Sequence, residues 1–258
     1  MMEGDLVDGR ILYEDDRHKF LWLGWEEEEE EGLVQTNQYL IINGEVGILL
    51  DPGGAHVFPR VVAATARYIP IENIRFIFYS HQDPDVSSGL PLWVLVTPAK
   101  VYVSKLWIRF VPHFGKVSVD RMVPIEDSGG QLRLPSGDVL EFIPAHYLHS
   151  TGNFSAYDQR SGILFSGDIG SAVFPKGKRY LFVENFEDHV PLMEGFHRRY
   201  MTSQRILSKW VGLVRRRKIR MIAPQHGALF SGESVEKFLS WLENLRCGED
   251  MLEEIYGS

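Results

Sequence analysis

The chain has 258 residues, 44% hydrophobic and 24% charged, which is enough for one large layered domain with a substantial core or for two small ones. A net charge of −8 argues against a nucleic-acid binder, and the single cysteine, Cys247, excludes an internal disulfide and disfavours a thiolate metal site. The first residues lack the pattern of a secretory leader and no run nears the ~18 apolar residues of a membrane span, so the expected location is the cytoplasm.

The chain opens on β structure. Short runs rich in branched and aromatic residues at 19–25, 38–42 and 46–51 predict strands, and Asn43-Gly44 marks a hairpin turn between the last two. Six consecutive glutamates, Glu26 to Glu31, read as a solvated loop or hairpin edge. Asp51-Pro52-Gly53-Gly54 then ends its strand in a turn. Over 56–69, Val57, Val61, Ala64 and Tyr68 fall near helical spacing, with Pro59 in the tolerant first turn. The apolar run 74–79 predicts a buried strand, and Ser87 or Ser88 could cap a short helix after it.

Further strands are predicted at 100–104, 139–144, 163–166 and 221–223, and a short helical stretch at 106–114. Segments 192–214 and 233–246 carry helical periodicity and would cover the outside of the sheets. Arg215-Arg216-Arg217-Lys218 reads as a solvated helix C-terminus, where cations suit the macrodipole. With no Pro/Gly/Ser-rich linker in the chain, the expectation is one layered domain over 1–258.

The residues that carry chemistry repeat one arrangement: an apolar run, then His or Asp, then a small turn residue. The stretch YSHQDPDVSSG, at 79–89, sets His81, Asp83 and Asp85 two apart at a strand end. Alone, the triplet could be an Asp-rich turn, and Asp168 or His226 could each merely shape one. Recurrence at several strand ends favours a metal site, and imidazole with carboxylate suits iron, manganese or zinc. His18, His56, His113, His189 and His197 have no such context and read as ordinary surface or packing residues.

Taken in order, His81-x-Asp83-x-Asp85, His149, Gly167-Asp168 and Gln225-His226-Gly227 resemble the metallo-β-lactamase superfamily, and within it the β-lactamase-like half of flavodiiron proteins. Gln35-Thr36-Asn37-Gln38-Tyr39-Leu40-Ile41 and Gly47-Ile48-Leu49-Leu50-Asp51 resemble that family's N-terminal pattern. The resemblance implies an α/β fold of four layers, αββα, with two mixed sheets face to face and helices outside. It implies two iron ions, with His81, Asp83 and His149 as terminal ligands of one. Asp85 and His226 would hold the other, and Asp168 would bridge them.

The chain departs from the family pattern at three places. Asp83 stands where Glu is usual, Ser150-Thr151-Gly152 replaces Trp-Pro-Asp, and Val86 stands where a His is usual and would leave the second metal an open position. His146 remains an alternative to His149, or a residue supporting the ligands. Tyr200 resembles an aromatic position lining the pocket for a diatomic ligand, and a packing role on an amphipathic helix explains it equally well.

The function implied is binding, and in some relatives reduction, of dioxygen or nitric oxide. The chain would act as an oxygen sensor, or as a reductase fed by a separate flavoprotein or rubredoxin-like donor. No flavodoxin domain and no FMN are expected in this chain, and a homodimer is one expectation carried by the family. The alternative is a dinuclear hydrolase of an ester, thioester or phosphodiester, with zinc or manganese in place of iron.

Overall fold

In the computed structural model, which describes residues 4–26 and 33–257, the strands pair into two sheets. The first sheet takes seven strands in chain order: β1 (Arg10–Glu14), β2 (His18–Trp22), β3 (Tyr39–Asn43), β4 (Val46–Leu50), β5 (Ile74–Phe78), β6 (Lys100–Ser104) and β7 (Met122–Ile125). Neighbours are antiparallel from β1 to β4 and parallel from β4 to β7. The second sheet comprises β8 (Gly130–Arg133), β9 (Val139–Pro144), β10 (Phe154–Asp158), β11 (Ile163–Gly167), β12 (Met221–Pro224) and β13 (Phe230–Ser231). Its spatial order follows the chain from β8 to β13, and only β11 and β12 run parallel.

Side-chain alternation builds four layers from these sheets. Phe20, Trp22, Ile41, Ile48, Leu50 and Phe78 face inward and pack on Phe142, Phe154, Phe165 and Ala223 of the second sheet. Their neighbours Leu21, Leu40, Leu49 and Ile77 face the other way, onto Val61, Ala64, Leu90 and Trp93 of the helices Phe58–Ala66 and Leu90–Val96. On the far side Ile143, Tyr157, Leu164 and Ile222 meet Leu207, Trp210, Phe238 and Leu242. A sheet covered on both faces reads as a nearly continuous apolar run, which is why β3 and β4 stood out.

Five strands are missing from the sequence reading, for identifiable reasons, and β13, with two residues, is too short to carry a pattern. β1 and β8 are sheet edges with mostly exposed side chains, and β7, also at an edge, contains Pro124. β10 is entirely buried, but its sequence FSAYD has no β-branched residue. The predicted helix at 192–214 is two, Phe186–Tyr200 and Gln204–Val214, broken where Met201 turns extended and its side chain is fully buried. The stretch 106–114 forms turns and a short 3₁₀ segment, Val111–Phe114. The basic run follows the helix Gln204–Val214 and is mostly exposed, with Arg215 paired to Glu236 and Glu243 and the half-buried Arg217 to Glu141. Of the six glutamates, Glu26 pairs with Arg60 at 2.9 Å, and the other five lie outside the described residues. No helix among the described residues is long and apolar enough to cross a membrane.

Candidate metal centre

The six residues singled out at strand ends converge at one end of the two sheets. His81, Asp83 and Asp85 follow β5, Asp168 follows β11, and His226 follows β12. His149 lies in the loop between β9 and β10. Backbone bonds stitch these loops together: Phe154 N donates to Ser80 O at 3.0 Å, and Gln225 N to Gly167 O at 2.8 Å. Gly167 and Gly227 both have positive φ, and a Cβ on Gly227 would lie 2.7 Å from that of Ala172. Glycine at these two positions allows the sharp turns that aim Asp168 and His226 inward.

Asp168 is the centre of the arrangement. Its Oδ2 lies 2.9 Å from His149 Nε2 and 3.6 Å from His81 Nε2, and its Oδ1 lies 3.5 Å from His226 Nε2. Asp83 Oδ2 faces the first pair, 3.6 Å from His81 and 3.4 Å from His149. Asp85 Oδ2 sits 3.3 Å from His226 Nε2. Donor atoms of His81, His149 and Asp168 all fall within 4.8 Å of one another. The result is two half-sites sharing one carboxylate.

The fit of these residues to metal ions rests on unsatisfied polar atoms. His81 Nε2 and Asp168 Oδ1 are buried and have no hydrogen-bond partner. Buried polar atoms are nearly always satisfied, and these two orphans, one facing each half-site, fit places for cations. Electrostatics agree. Burial alone would lower the His81 pKa, but the carboxylates of Asp168, Asp83 and Asp51 outweigh it and raise it to about 9. Burial would raise Asp168, yet His81, His149 and His226 hold it well below the usual carboxylate range. Against burial again, Asp85 is lowered, chiefly by His226. The donor set is imidazole and carboxylate without thiolate, because Cys247 is buried in the outer helical core.

Residues behind this group set its geometry, and several belong to the N-terminal pattern, although the sequence did not show what they bond. His81 Nδ1 donates to Ser80 Oγ at 2.9 Å, and the Ser80 hydroxyl donates in turn to Asp51. Asp51 also accepts from Ser80 N at 2.7 Å, is fully buried, and is pushed up to about 7 by that burial. His226 Nδ1 donates to Gln35 O at 2.9 Å. Both bonds leave Nε2 free to face the site. Asn37 donates to the carbonyls of Pro224 and Gly227, 2.9 Å each, and accepts from the indoles of Trp22 and Trp25. Tyr39 OH adds a bond to Pro224 O at 2.7 Å. The Asn and Tyr of the N-terminal pattern therefore brace the His226 loop.

His197 is a packing residue with a specific role: its Nε2 accepts from Gly170 N at 2.9 Å, pinning the Asp168 loop. His146 bonds the Asp127 carbonyl at 2.7 Å and lies outside the group, which leaves His149 as the histidine of this loop. Tyr200 is 57% exposed and sets its ring edge-on to His149, 5.7 Å between centroids, stacked on Phe196. Val86 is fully buried in the apolar layer with Leu90 and Trp93.

Comparison with known proteins places this geometry. A family model described as ODP family beta lactamase matches residues 34–227. A structure of the peroxy diiron species of chemotaxis sensor ODP is 54% identical, with a TM-score of 0.88 over 96% of this chain and 100% of that one. A mutant flavo di-iron protein from Thermotoga maritima is 18% identical and shares the fold, with a TM-score of 0.74 over 91% of this chain and 60% of that one. Coenzyme F420H(2) oxidase of Methanocaldococcus jannaschii is 28% identical over 212 residues, 76% of this chain and 50% of that protein. The chain spans half or less of the length of the curated relatives it matches.

Proposed function

Since this chain belongs to the ODP family of β-lactamase-like domains, we propose that it is a non-haem di-iron protein that binds dioxygen and acts as an oxygen sensor. The observation carrying this reading is 54% identity, over 96% of the chain, to a chemotaxis sensor whose structure holds a diiron species. The site geometry supports it. His81, Asp83, His149 and Oδ2 of Asp168 would hold one iron, and Asp85, His226 and Oδ1 of Asp168 the other.

Two ferrous ions would supply electrons and exchangeable coordination positions to a diatomic ligand. The protein's part is positioning. Ser80 with Asp51, and the Gln35 carbonyl, fix the ring orientation of His81 and His226. Phe196 and Tyr200 set their rings edge-on against His149. The second half-site offers two terminal side chains, Asp85 and His226, against three in the first, and Val86 beside it has no donor atom, so exchangeable positions would lie on that side.

A second reading, reduction of dioxygen or nitric oxide with a separate flavoprotein or rubredoxin-like donor, draws on the 28% identity to an oxidase. The hydrolase alternative draws no support from these relatives. A cytoplasmic location suits a chain whose one cysteine is free and buried. The test is anaerobic reconstitution with ferrous iron, metal analysis, and optical detection as oxygen is added. Two irons and an oxygen-linked absorbance are expected. Tightly held zinc, ester hydrolysis and no oxygen response would defeat the proposal.

A further inference from the structure

The two oxygens of Asp83 have different partners. Asp83 is the N-cap residue of the short helix Pro84–Ser87, where an aspartate ordinarily turns its carboxylate back onto free backbone N–H groups. It makes no such bond. Oδ1 instead accepts from Gln82 Nε2 at 2.9 Å, while Oδ2 faces His81 and His149. A third of the Asp83 side chain is exposed, so burial alone does not hold this carboxylate inward.

The Gln82 amide is itself oriented. Ser150 Oγ donates to Gln82 Oε1 at 2.8 Å, with the Thr151 carbonyl a more distant acceptor at 3.3 Å. Reversing the amide would set its oxygen against the Asp83 carboxylate, so the two partners together select one orientation. Ser150 directly follows His149 and Gln82 directly follows His81. The chain Ser150–Gln82–Asp83 thus ties the two loops that carry the histidines of the first half-site.

We infer that Gln82 and Ser150 are positioning residues of the first half-site: Gln82 keeps Oδ2 of Asp83 inward, and Ser150 keeps Gln82 in the orientation that does so. The inference rests on the two-iron reading above. Residues of this kind, behind a metal ligand, typically change affinity about 10- to 100-fold when lost.

The test is anaerobic ferrous titration against a competing chelator, with Mössbauer spectra of the loaded protein and thermal melts of the metal-free one. Wild type, Gln82→Leu, Ser150→Ala and the double variant are compared. Gln82→Leu should weaken one iron about 10- to 100-fold while sparing the other and the metal-free melting point. Ser150→Ala should weaken the same iron about fivefold, the scale of one hydrogen bond. Because Ser150 acts through Gln82, the double variant should be no weaker than Gln82→Leu. Wild-type affinity in Gln82→Leu, equal loss of both irons, or a fully additive double variant would overturn the inference. If Gln82→Leu fails to fold, unchanged iron affinity in Ser150→Ala overturns it alone. A wild type that binds no iron pair removes the two-iron reading and this inference with it, whereas wild-type loading with unaffected variants removes only the inference.

Discussion

His149 Nε2 stands 2.9 Å from one carboxylate oxygen of Asp168, and the other oxygen of that carboxylate faces His226. One short side chain therefore serves both half-sites. Replacing it should cost more than replacing a ligand of one. Asp168→Asn is expected to abolish binding of both irons, while Asp85→Ala should retain about one iron per chain where wild type holds about two. Metal analysis after anaerobic reconstitution checks this. Equal iron content in the two variants would show that the carboxylate is not shared.

Asn37 spends all its polar atoms on bonds between distant parts of the chain. Asn37→Leu would strand two buried indole N–H groups and the Gly227 carbonyl, while the Pro224 carbonyl would keep its bond from Tyr39 OH. Each unsatisfied buried group costs about 1–3 kcal/mol, so a loss on the order of 3 kcal/mol or more is expected even after partial relaxation. Denaturant unfolding of the metal-free protein measures it. Because the lost bonds brace the Pro224–Gly227 turn, His226 and its half-site should weaken too. A loss below about 1 kcal/mol would mean that this bracing is incidental.

That bracing marks the limit of what the sequence made legible. His81, Asp83, Asp85, Asp168 and His226 stood out because each follows an apolar run, and strand ends are where a layered α/β fold exposes side chains. Asn37, Ser80 and Gln82 lie inside the stretches that stood out, but nothing in those stretches marked what each would bond. Their roles depend on partners brought close only by folding, such as Pro224 and Gly227 for Asn37 or Ser150 for Gln82. The layers were legible where buried strands are rich in branched residues, and were lost at β10, which has none, and at the edges, where β1 and β8 are mostly exposed and β7 contains Pro124.

His189 provides a pH prediction away from the metal centre. It is fully buried among Phe174, Tyr180 and Phe230, with Nδ1 in a 2.8 Å hydrogen bond with the Tyr180 hydroxyl. Burial lowers its pKa to about 4 from the ordinary 6.5. A depressed folded-state pKa means that the unfolded chain binds the proton first. Its contribution to stability is therefore full above pH 6.5 and is lost as pH falls towards about 4. At about pH 5 the loss should be on the order of 1–2 kcal/mol. His189→Gln should flatten that part of the melting-temperature profile. An unchanged acid slope would mean that other groups control it.

Val86 stands directly after Asp85, where the flavodiiron pattern that the sequence resembles would have a histidine, and its burial decides what introducing that histidine would do. The side chain is 0% exposed and packs in the apolar layer with Leu90 and Trp93, away from the donor atoms that converge on Asp168. An imidazole there would be larger than valine and would carry a polar N–H into apolar surroundings. Overpacking and an unsatisfied polar group each cost about 1–3 kcal/mol, so Val86→His should destabilise the metal-free protein on that scale. Reaching the second half-site would require the Pro84–Ser87 turn to rotate, which would also displace Asp85, two residues after Asp83 on the same turn. The expected result is lower stability with iron content unchanged. Tighter binding of the second iron in Val86→His would show instead that the turn rotates at little cost, and that valine keeps a coordination position open by omission rather than by packing.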